Sequence, residues 1–483
     1  MTVPDPAFPD PAFPDPGFPE SLPDLSIGAL LAGYRDGALD PLSVASLVHA
    51  RARQSFDENI WITLRDLADL RAAAEKIMAR WPDPRARPPL FGIPVAVKDN
   101  IDVTGLPTTA ACPDFTYVPA TSATLVSLLT EAGALIVGKT NLDQFATGLT
   151  GTRSPYGICR SPFSPAHIAG GSSSGSALAV ARGLVSVAIG TDTAGSGRVP
   201  AAFTGTIGLK PSRGLVSGLG MVPACRSLDC PSVFATSVAD AEATLRVMAG
   251  YDPADPWSRE FPGTGSGLGA GVGAGVGAAN GPRVLRVGVC DDDALGWVTD
   301  EEIVAAYRLS ASRLSSEGMK IVPVDVSPLL EAGELLYGGP FVAERLTFLE
   351  DLLQSSPRSF YRDTRQVLLK ARDLSAADAF RGIHRLAELR CAARRLWQDV
   401  DAVLLPTVPF IPTVDQAVAD SNAVTSALGR YTTFTNLMDL AAMAVPAGFR
   451  QDGLPVGVSL HAPAGGDELL AGLAAALTTE TSR

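Results

Sequence analysis

Between Ala169 and Pro200 the chain reads AGGSSSGSALAVARGLVSVAIGTDTAGSGRVP, two clusters of glycine and serine joined by an apolar segment. The pattern predicts a loop, a helix, a strand and a second loop, the signature of a piece of α/β structure. Gly170, Gly171, Ser172, Ser173, Ser174, Gly175 and Ser176 let a backbone come close to another group, because glycine tolerates positive φ and serine adds a hydroxyl without bulk. Thr193, Ala194, Gly195, Ser196 and Gly197 repeat that composition one helix and one strand later. A serine held in such a turn can act as a nucleophile, with neighbouring backbone N–H groups facing a developing oxyanion. Taken alone, either cluster also fits a plain tight turn of an α/β fold, so other residues have to decide.

The remaining pattern places that stretch inside one large α/β domain. Residues 1–24 carry the repeat DPAFP, DPAFP, DPGFP, in which proline recurs too often for helix or sheet, so a disordered or extended tail is expected. Two helices broken at Asp40-Pro41, a strand over Asn59–Leu64 and an amphipathic helix over Asp66–Trp81 follow. A β-branched strand over Ile93–Val97 then carries Lys98, Asp99 and Asn100 at its end. A helix over Ser122–Ala132 leads to a strand over Ala134–Val137. Residues 263–282 are glycine-rich and read as a flexible surface insertion. A βαβ unit follows, and then a mostly helical region over residues 328–400. Strands near Val400 and over Leu454–Pro463, with a closing helix over Asp467–Leu477, return to the sheet. Strands from both ends of the chain bracket the helical middle. A single domain over residues 25–483, with a large mixed β-sheet covered by helices on both faces, is more economical than three domains.

Some chemistry is excluded early. Gly133, Gly138, Lys139 and Thr140 match the phosphate-loop pattern G-x-x-x-x-G-K-[ST], yet the four residues between the glycines are the apolar Ala134, Leu135, Ile136 and Val137. A phosphate loop needs those positions as a solvent-facing anion nest after a strand, whereas here they are the strand. The formal net charge of −12 argues against a general nucleic-acid or anionic-membrane surface, and an anionic substrate would need a local cationic pocket. No apolar run is long enough to span a bilayer. The six cysteines are scattered without C-x-x-C spacing and the chain does not open on a secretory apolar region. Reduced, mostly buried thiols in a cytoplasmic protein are expected, with neither metal nor cofactor.

A nucleophilic serine needs a base. The four histidines, His49, His167, His384 and His461, lie in no recognisable acid–base context, although His167 is near the serine-rich loop in sequence and stays a candidate. A lysine at the end of an apolar strand is the better one, because burial lowers an amine's pKa until it can accept a proton from a hydroxyl. Lys98, Ser172 and Ser196 would then form a relay, with Ser172 carrying the proton between nucleophile and base.

From about Pro88 to Ala235 these residues resemble the amidase signature family, which carries a Ser-cisSer-Lys triad on a strand lysine, a Gly/Ser-rich loop and a G-T-D-x-x-G-S-x-R-x-P segment. The matching residues are Lys98 in GIPVAVKDN, Ser172 in GGSSSGSA and Ser196 in GTDTAGSGRVPA, while Ser174 stands where a glycine is common. The resemblance implies the amidase signature fold, Ser196 as nucleophile and Ser172 as shuttle to Lys98. It also implies an oxyanion hole from the N–H groups of Thr193, Ala194, Gly195 and Ser196, and a loop braced by Asp192, Arg198 and Ser173. Within the family, KTNLDQFATGLTGTRSPYG, Ala194-Gly195 and VPACRSLDC are similar to the allophanate hydrolases. That branch holds its substrate carboxylate with a tyrosine and an arginine eight residues apart on a helix, here matched by Tyr337 and Arg345 in LYGGPFVAERL. Such spacing puts both side chains on one helix face, where the guanidinium can grip a carboxylate.

The resemblance therefore implies ammonia release from a small anionic amide in urea degradation, a homodimer, and a functional link to a biotin-dependent urea carboxylase. Related enzymes carry a further C-terminal domain associated with decarboxylating the product. Another amidase of the same family, an amidotransferase glutaminase subunit, or a non-catalytic binding protein on the same fold remain the alternatives.

Overall fold

The computed structural model describes residues 23–261 and 284–478. The proline-rich repeat and the glycine-rich insertion fall outside those residues. The strands are β1 (Trp61–Leu64), β2 (Pro94–Lys98), β3 (Leu135–Thr140), β4 (Val187–Thr191), β5 (Ile207–Lys210) and β6 (Pro231–Ala235) in the first half. The second half adds β7 (Arg286–Cys290), β8 (Lys320–Val324), β9 (Ala402–Pro406), β10 (Leu440–Phe449) and β11 (Pro455–Pro463). They form a single 11-stranded sheet in the order β1-β3-β2-β4-β6-β5-β10-β11-β9-β7-β8. The sheet is mixed: β3, β2 and β4 are parallel, β4 through β9 alternate antiparallel along the β6, β5, β10 and β11 run, and β9, β7 and β8 are parallel again.

Every residue of β2, β3, β4, β5, β6 and β9 is buried. Side chains alternate between faces along a strand, so burial at consecutive positions means that both faces are covered. Such strands can be apolar throughout, as the near-continuous PVAVK and VAIGT runs are. The helix Ser174–Ala181 is likewise buried on almost every side, which is why its seven buried residues are small or aliphatic and none is charged.

The breakpoints follow local chemistry. Asp40 caps the helix Pro41–Gln54 by accepting from the N–H groups of Leu42 and Ser43, and Pro41 occupies the first helical position, where a missing N–H costs nothing. The βαβ reading holds, with β7 and β8 parallel around the helix Glu301–Ser316. Strand β3 runs further than the apolar pattern alone indicated, through Gly138, Lys139 and Thr140, so the phosphate-loop lettering is strand to its last residue. Gly138 is required there by proximity: a Cβ would sit 2.5 Å from the Thr63 carbonyl oxygen of β1. Lys139 is fully buried and pairs with Asp99 at 3.0 Å. Among the described residues no helix is long and apolar enough to cross a membrane.

Parallel pairing of β2 with β4 brings their carboxyl ends side by side, and with them Lys98, the last residue of β2, and Thr191, the last of β4. In open α/β sheets the crevice beyond such strand ends is where ligands bind. The two Gly/Ser loops meet at that edge.

Candidate active site

Three side chains form a continuous polar line across the strand ends. Ser172 Oγ lies 2.8 Å from Lys98 Nζ and 2.9 Å from Ser196 Oγ. Lys98 Nζ also lies 2.7 Å from Thr191 Oγ1. The Gly171–Ser172 peptide is cis. Ser173 faces away from the line and ties the loop to β4: its Oγ donates to the Thr191 carbonyl at 3.0 Å and accepts from the Thr191 N–H at 3.3 Å.

Burial pushes the Lys98 amine down to about 7, against the pull of the Asp143, Asp192 and Asp229 carboxylates toward the charged form. None of those carboxylates is within ion-pair distance of it. An amine that loses its proton near neutrality can donate to Thr191 and offer its lone pair to Ser172. The serine hydroxyls can rotate to carry protons either way along the line.

Asp192 and Arg198 form a buried bidentate pair beneath the second loop, Nε to Oδ2 at 2.8 Å and Nη2 to Oδ1 at 3.0 Å. Burial acts upward on the Asp192 carboxyl, yet the Arg198 charge and hydrogen bonds overcome it and hold the group below its ordinary range. Arg198 also donates to Thr435 Oγ1 at 2.7 Å and to the Thr432 carbonyl at 3.0 Å. Removing one member leaves a buried charge without its partner. Arg198→Ala is therefore expected to cost about 3–5 kcal/mol of folding stability, measured by urea denaturation.

The Gly195 N–H donates to Asp192 Oδ1 at 2.7 Å and the Gly197 N–H to Oδ2 at 3.1 Å, because the carboxylate fixed by Arg198 lies under the turn and takes them. Gly195 is thus removed from the set of four oxyanion donors. The N–H groups of Thr193, Ala194 and Ser196 have no acceptor among the described residues. Gly195 is needed for shape instead: its φ is +137° and a Cβ would collide with Thr432 Oγ1.

Tyr337 and Arg345 also come together, although not on one helix. The helix Ser327–Tyr337 stops at Tyr337, and Arg345 ends a separate 3-10 turn, Pro340–Arg345. The Gly338-Gly339-Pro340 sequence breaks the helix, since glycine weakens it and proline disfavours helical geometry at the residue before it. The chain folds back, so that Arg345 Nη2 still donates to Tyr337 OH at 3.3 Å and the guanidinium stands 5.4 Å from the ring centroid. Nη1 donates to Thr147 Oγ1 at 2.8 Å, while the buried Nε has no acceptor among the described residues. Arg345 is 1% exposed, and no carboxylate among the described residues is within ion-pair distance of it, although the Asp229 and Glu344 charges act on it from further off and favour its charged form. Its neighbour Glu344 turns to Ser227 instead.

His167, the candidate near the serine-rich loop in sequence, is engaged elsewhere. His167 Nδ1 is 3.0 Å from Ser164 Oγ, and its backbone bridges to Thr413. His461 is buried beside Arg198, and burial followed by the Arg198 and Lys210 charges holds it well below its ordinary pKa.

Several site residues carried no sequence signal. Thr191 anchors the amine. Asp143, fully buried, accepts from the N–H groups of Gly151 and Arg153 at 3.0 and 2.9 Å, and its own N–H donates to the Ser172 carbonyl at 3.0 Å. Asp229 accepts from Thr193 Oγ1 at 2.6 Å. No group of three or more potential metal ligands gathers among the described residues.

The family model described as Amidase matches residues 47–471. The chain belongs to the Amidase family. Within it, this amidase is 44% identical over 406 residues to a urea amidolyase of Saccharomyces cerevisiae, an alignment covering 83% of this chain and 21% of the yeast protein. A urea amidolyase of Lachancea kluyveri matches similarly, so the chain spans about a fifth of the length of both relatives. Among solved structures, a variant of Kluyveromyces lactis allophanate hydrolase superposes with a TM-score of 0.87 at 39% identity, covering 95% of this chain and 73% of that one. A glutamyl-tRNA(Gln) amidotransferase subunit from Synechococcus is 35% identical, with 81% of this chain and 83% of that protein aligned. The amidase fold read from the Lys98, Ser172 and Ser196 segments is thereby established for the chain.

Proposed function

We propose that this amidase hydrolyses the terminal amide of allophanate (urea-1-carboxylate), releasing ammonia and N-carboxycarbamate. The observation that carries the reading is a buried arginine, Arg345, with no carboxylate within ion-pair distance among the described residues, linked to the lysine–serine–serine line through Asp229, whose charge acts on both Arg345 and Lys98. The Arg345 Nε is left without an acceptor among the described residues, and a substrate carboxylate bound there would be held by a charge-assisted contact. The likeness to the yeast urea amidolyases and to the Kluyveromyces lactis allophanate hydrolase supports the same substrate.

In this mechanism Ser196 Oγ attacks the amide carbon as its proton passes to Ser172 Oγ, whose own proton passes to the neutral Lys98 Nζ. The tetrahedral oxyanion is met by the N–H groups of Thr193, Ala194 and Ser196, which sit ready without an internal acceptor to displace. Collapse breaks the C–N bond, and Lys98 returns the proton through Ser172 to the leaving nitrogen, which departs as ammonia. The acyl group left on Ser196 is removed by water, which gives up a proton along the same line. Asp192, Arg198 and Ser173 hold the loops, and Tyr337 and Arg345 hold the carboxylate. The protein would act in the cytoplasm as a homodimer beside a biotin-dependent urea carboxylase that makes allophanate.

Two results test this reading. Arg345→Ala is expected to lower kcat/KM for ammonia release from allophanate about 100-fold or more, since a charge-assisted bidentate contact worth roughly 3 kcal/mol is lost. An unchanged value would refute carboxylate recognition by Arg345. Because the base must be neutral, kcat/KM should fall about tenfold per pH unit below the Lys98 pKa of about 7 and level off above it. A profile flat from pH 5 to 8 would exclude Lys98 as the base. The amidotransferase relative keeps glutamine as a second candidate substrate, and turnover of glutamine would favour it.

A further inference from the structure

Glu344 stands next to Arg345 in sequence but directs its carboxylate the other way. Its Oε1 accepts from the Ser227 N–H at 2.7 Å and its Oε2 from Ser227 Oγ at 2.6 Å. Ser227 belongs to the segment Ala224–Asp229, a closed turn in which the N–H groups of Leu228 and Asp229 both donate to the Cys225 carbonyl at 2.8 Å. Asp229 draws the turn tighter by accepting from the N–H of Ala224 at 2.8 Å through Oδ2 and from that of Cys225 at 3.1 Å through Oδ1. The same Oδ1 accepts from Thr193 Oγ1 at 2.6 Å. Arg213 Nη1 donates to the Ser227 carbonyl from a third direction.

One compact turn is therefore fastened at one end to the residue that opens the oxyanion segment and at the other to the residue beside the carboxylate-binding arginine. Both fastenings use ionisable side chains as acceptors, and both carboxylate oxygens of Asp229 accept from groups of the protein itself. In allophanate a single nitrogen separates the carboxylate carbon from the amide carbon, and the planar chain has little freedom to bridge a gap of the wrong length. Positioning at that scale matters, because a displacement of about 1 Å can cost about 100-fold in rate.

We propose that the Ala224–Asp229 turn is a strut that sets the distance between Arg345 and the oxyanion donors, and that Glu344 is the positioning residue that fixes its outer end. This rests on the allophanate reading and adds to it a basis for selecting substrate length. A carboxylate one atom removed from the amide carbon is favoured over one two atoms removed because the strut holds the two ends at a fixed separation.

The test compares ammonia release from allophanate with that from succinamate, in which two methylenes separate the same groups. Glu344→Ala is expected to lower kcat/KM for allophanate at least tenfold, mainly through KM, and to lower the allophanate-to-succinamate ratio at least fivefold. Ser227→Ala removes one of the two bonds to Glu344 with little change in volume, and should shift the ratio in the same direction by a smaller factor. Glu344→Gln, whose carbonyl can still accept from the Ser227 N–H, should recover part of both losses. Phenylmethanesulfonyl fluoride, a neutral reagent for Ser196, should label the three variants at the wild-type rate, which separates a moved clamp from a damaged fold. A ratio unchanged in both Glu344→Ala and Ser227→Ala would overturn the strut while leaving the substrate reading standing. Equal wild-type turnover of allophanate and its neutral carboxamide counterpart biuret would overturn the substrate reading, and the strut with it.

Discussion

Ser196→Ala is expected to reduce ammonia release by about five to six orders of magnitude, to the level of the remaining donors and substrate binding, as when a serine nucleophile is removed from a relay that works as a unit. The change deletes one oxygen. Ser196 Oγ hydrogen-bonds to Ser172 Oγ at 2.9 Å, so the loop should keep its shape through the Asp192–Arg198 pair and the Thr432 and Asn436 contacts. Thermal unfolding of the variant should lie within a few degrees of wild type. Residual turnover within tenfold of wild type would remove Ser196 as the nucleophile, and peptide mapping of an acyl adduct would then locate the true one.

Lys98→Met is expected to cost about three to four orders of magnitude in kcat/KM, because the base that takes the proton from Ser172 and the acid that returns it to the leaving nitrogen are the same group. Methionine keeps most of the volume, and it removes an amine that burial already disfavours in its charged form. The loss should therefore appear in rate rather than in folding. Lys98→Arg is expected to be no better, since a guanidinium stays protonated and cannot serve as a base. The double variant Ser196→Ala with Lys98→Met should be no slower than Ser196→Ala alone, because the second change removes a function already lost. A full additive penalty would mean that Lys98 acts on something other than this serine.

The contact of Lys98, Ser172 and Ser196 was legible because candidate relay chemistry is written in residue types. A lysine closing an apolar strand and serines packed among glycines are each unusual, and together they point to a candidate relay. The sheet was legible for a similar reason: runs such as PVAVK and VAIGT can be buried on both faces. Strand β10 was not, since LAAMAVPAGF mixes small residues with an internal proline and gives no clear alternation. The pairing of Tyr337 with Arg345 was anticipated, but for the wrong geometry. Gly338-Gly339-Pro340 marks a helix end, and the two residues meet through a reversal of the chain.

Asp143, Asp229 and Glu344 left no trace in the sequence, because their roles come from partners far along the chain. Glu344 and Ser227 are 117 positions apart, and Asp229 and Thr193 are 36 apart. A lone acidic residue in a loop is usually solvated, and only the fold turns these three inward. The Gly195 N–H illustrates the converse. The family resemblance implied an oxyanion donor there, yet the Asp192 carboxylate, held by a bidentate arginine, accepts from it. Backbone spacing could not reveal that competition.

The most direct measurement is ammonia release by the wild-type protein from allophanate, biuret and glutamine under identical conditions. Biuret replaces the carboxylate of allophanate with a neutral carboxamide of nearly the same shape, so it isolates the contribution of Arg345. The expected kcat/KM for allophanate is at least about 100-fold above that for either alternative, in line with one lost charge-assisted contact. Equal or faster turnover of biuret or glutamine would contradict carboxylate recognition as the basis of substrate choice.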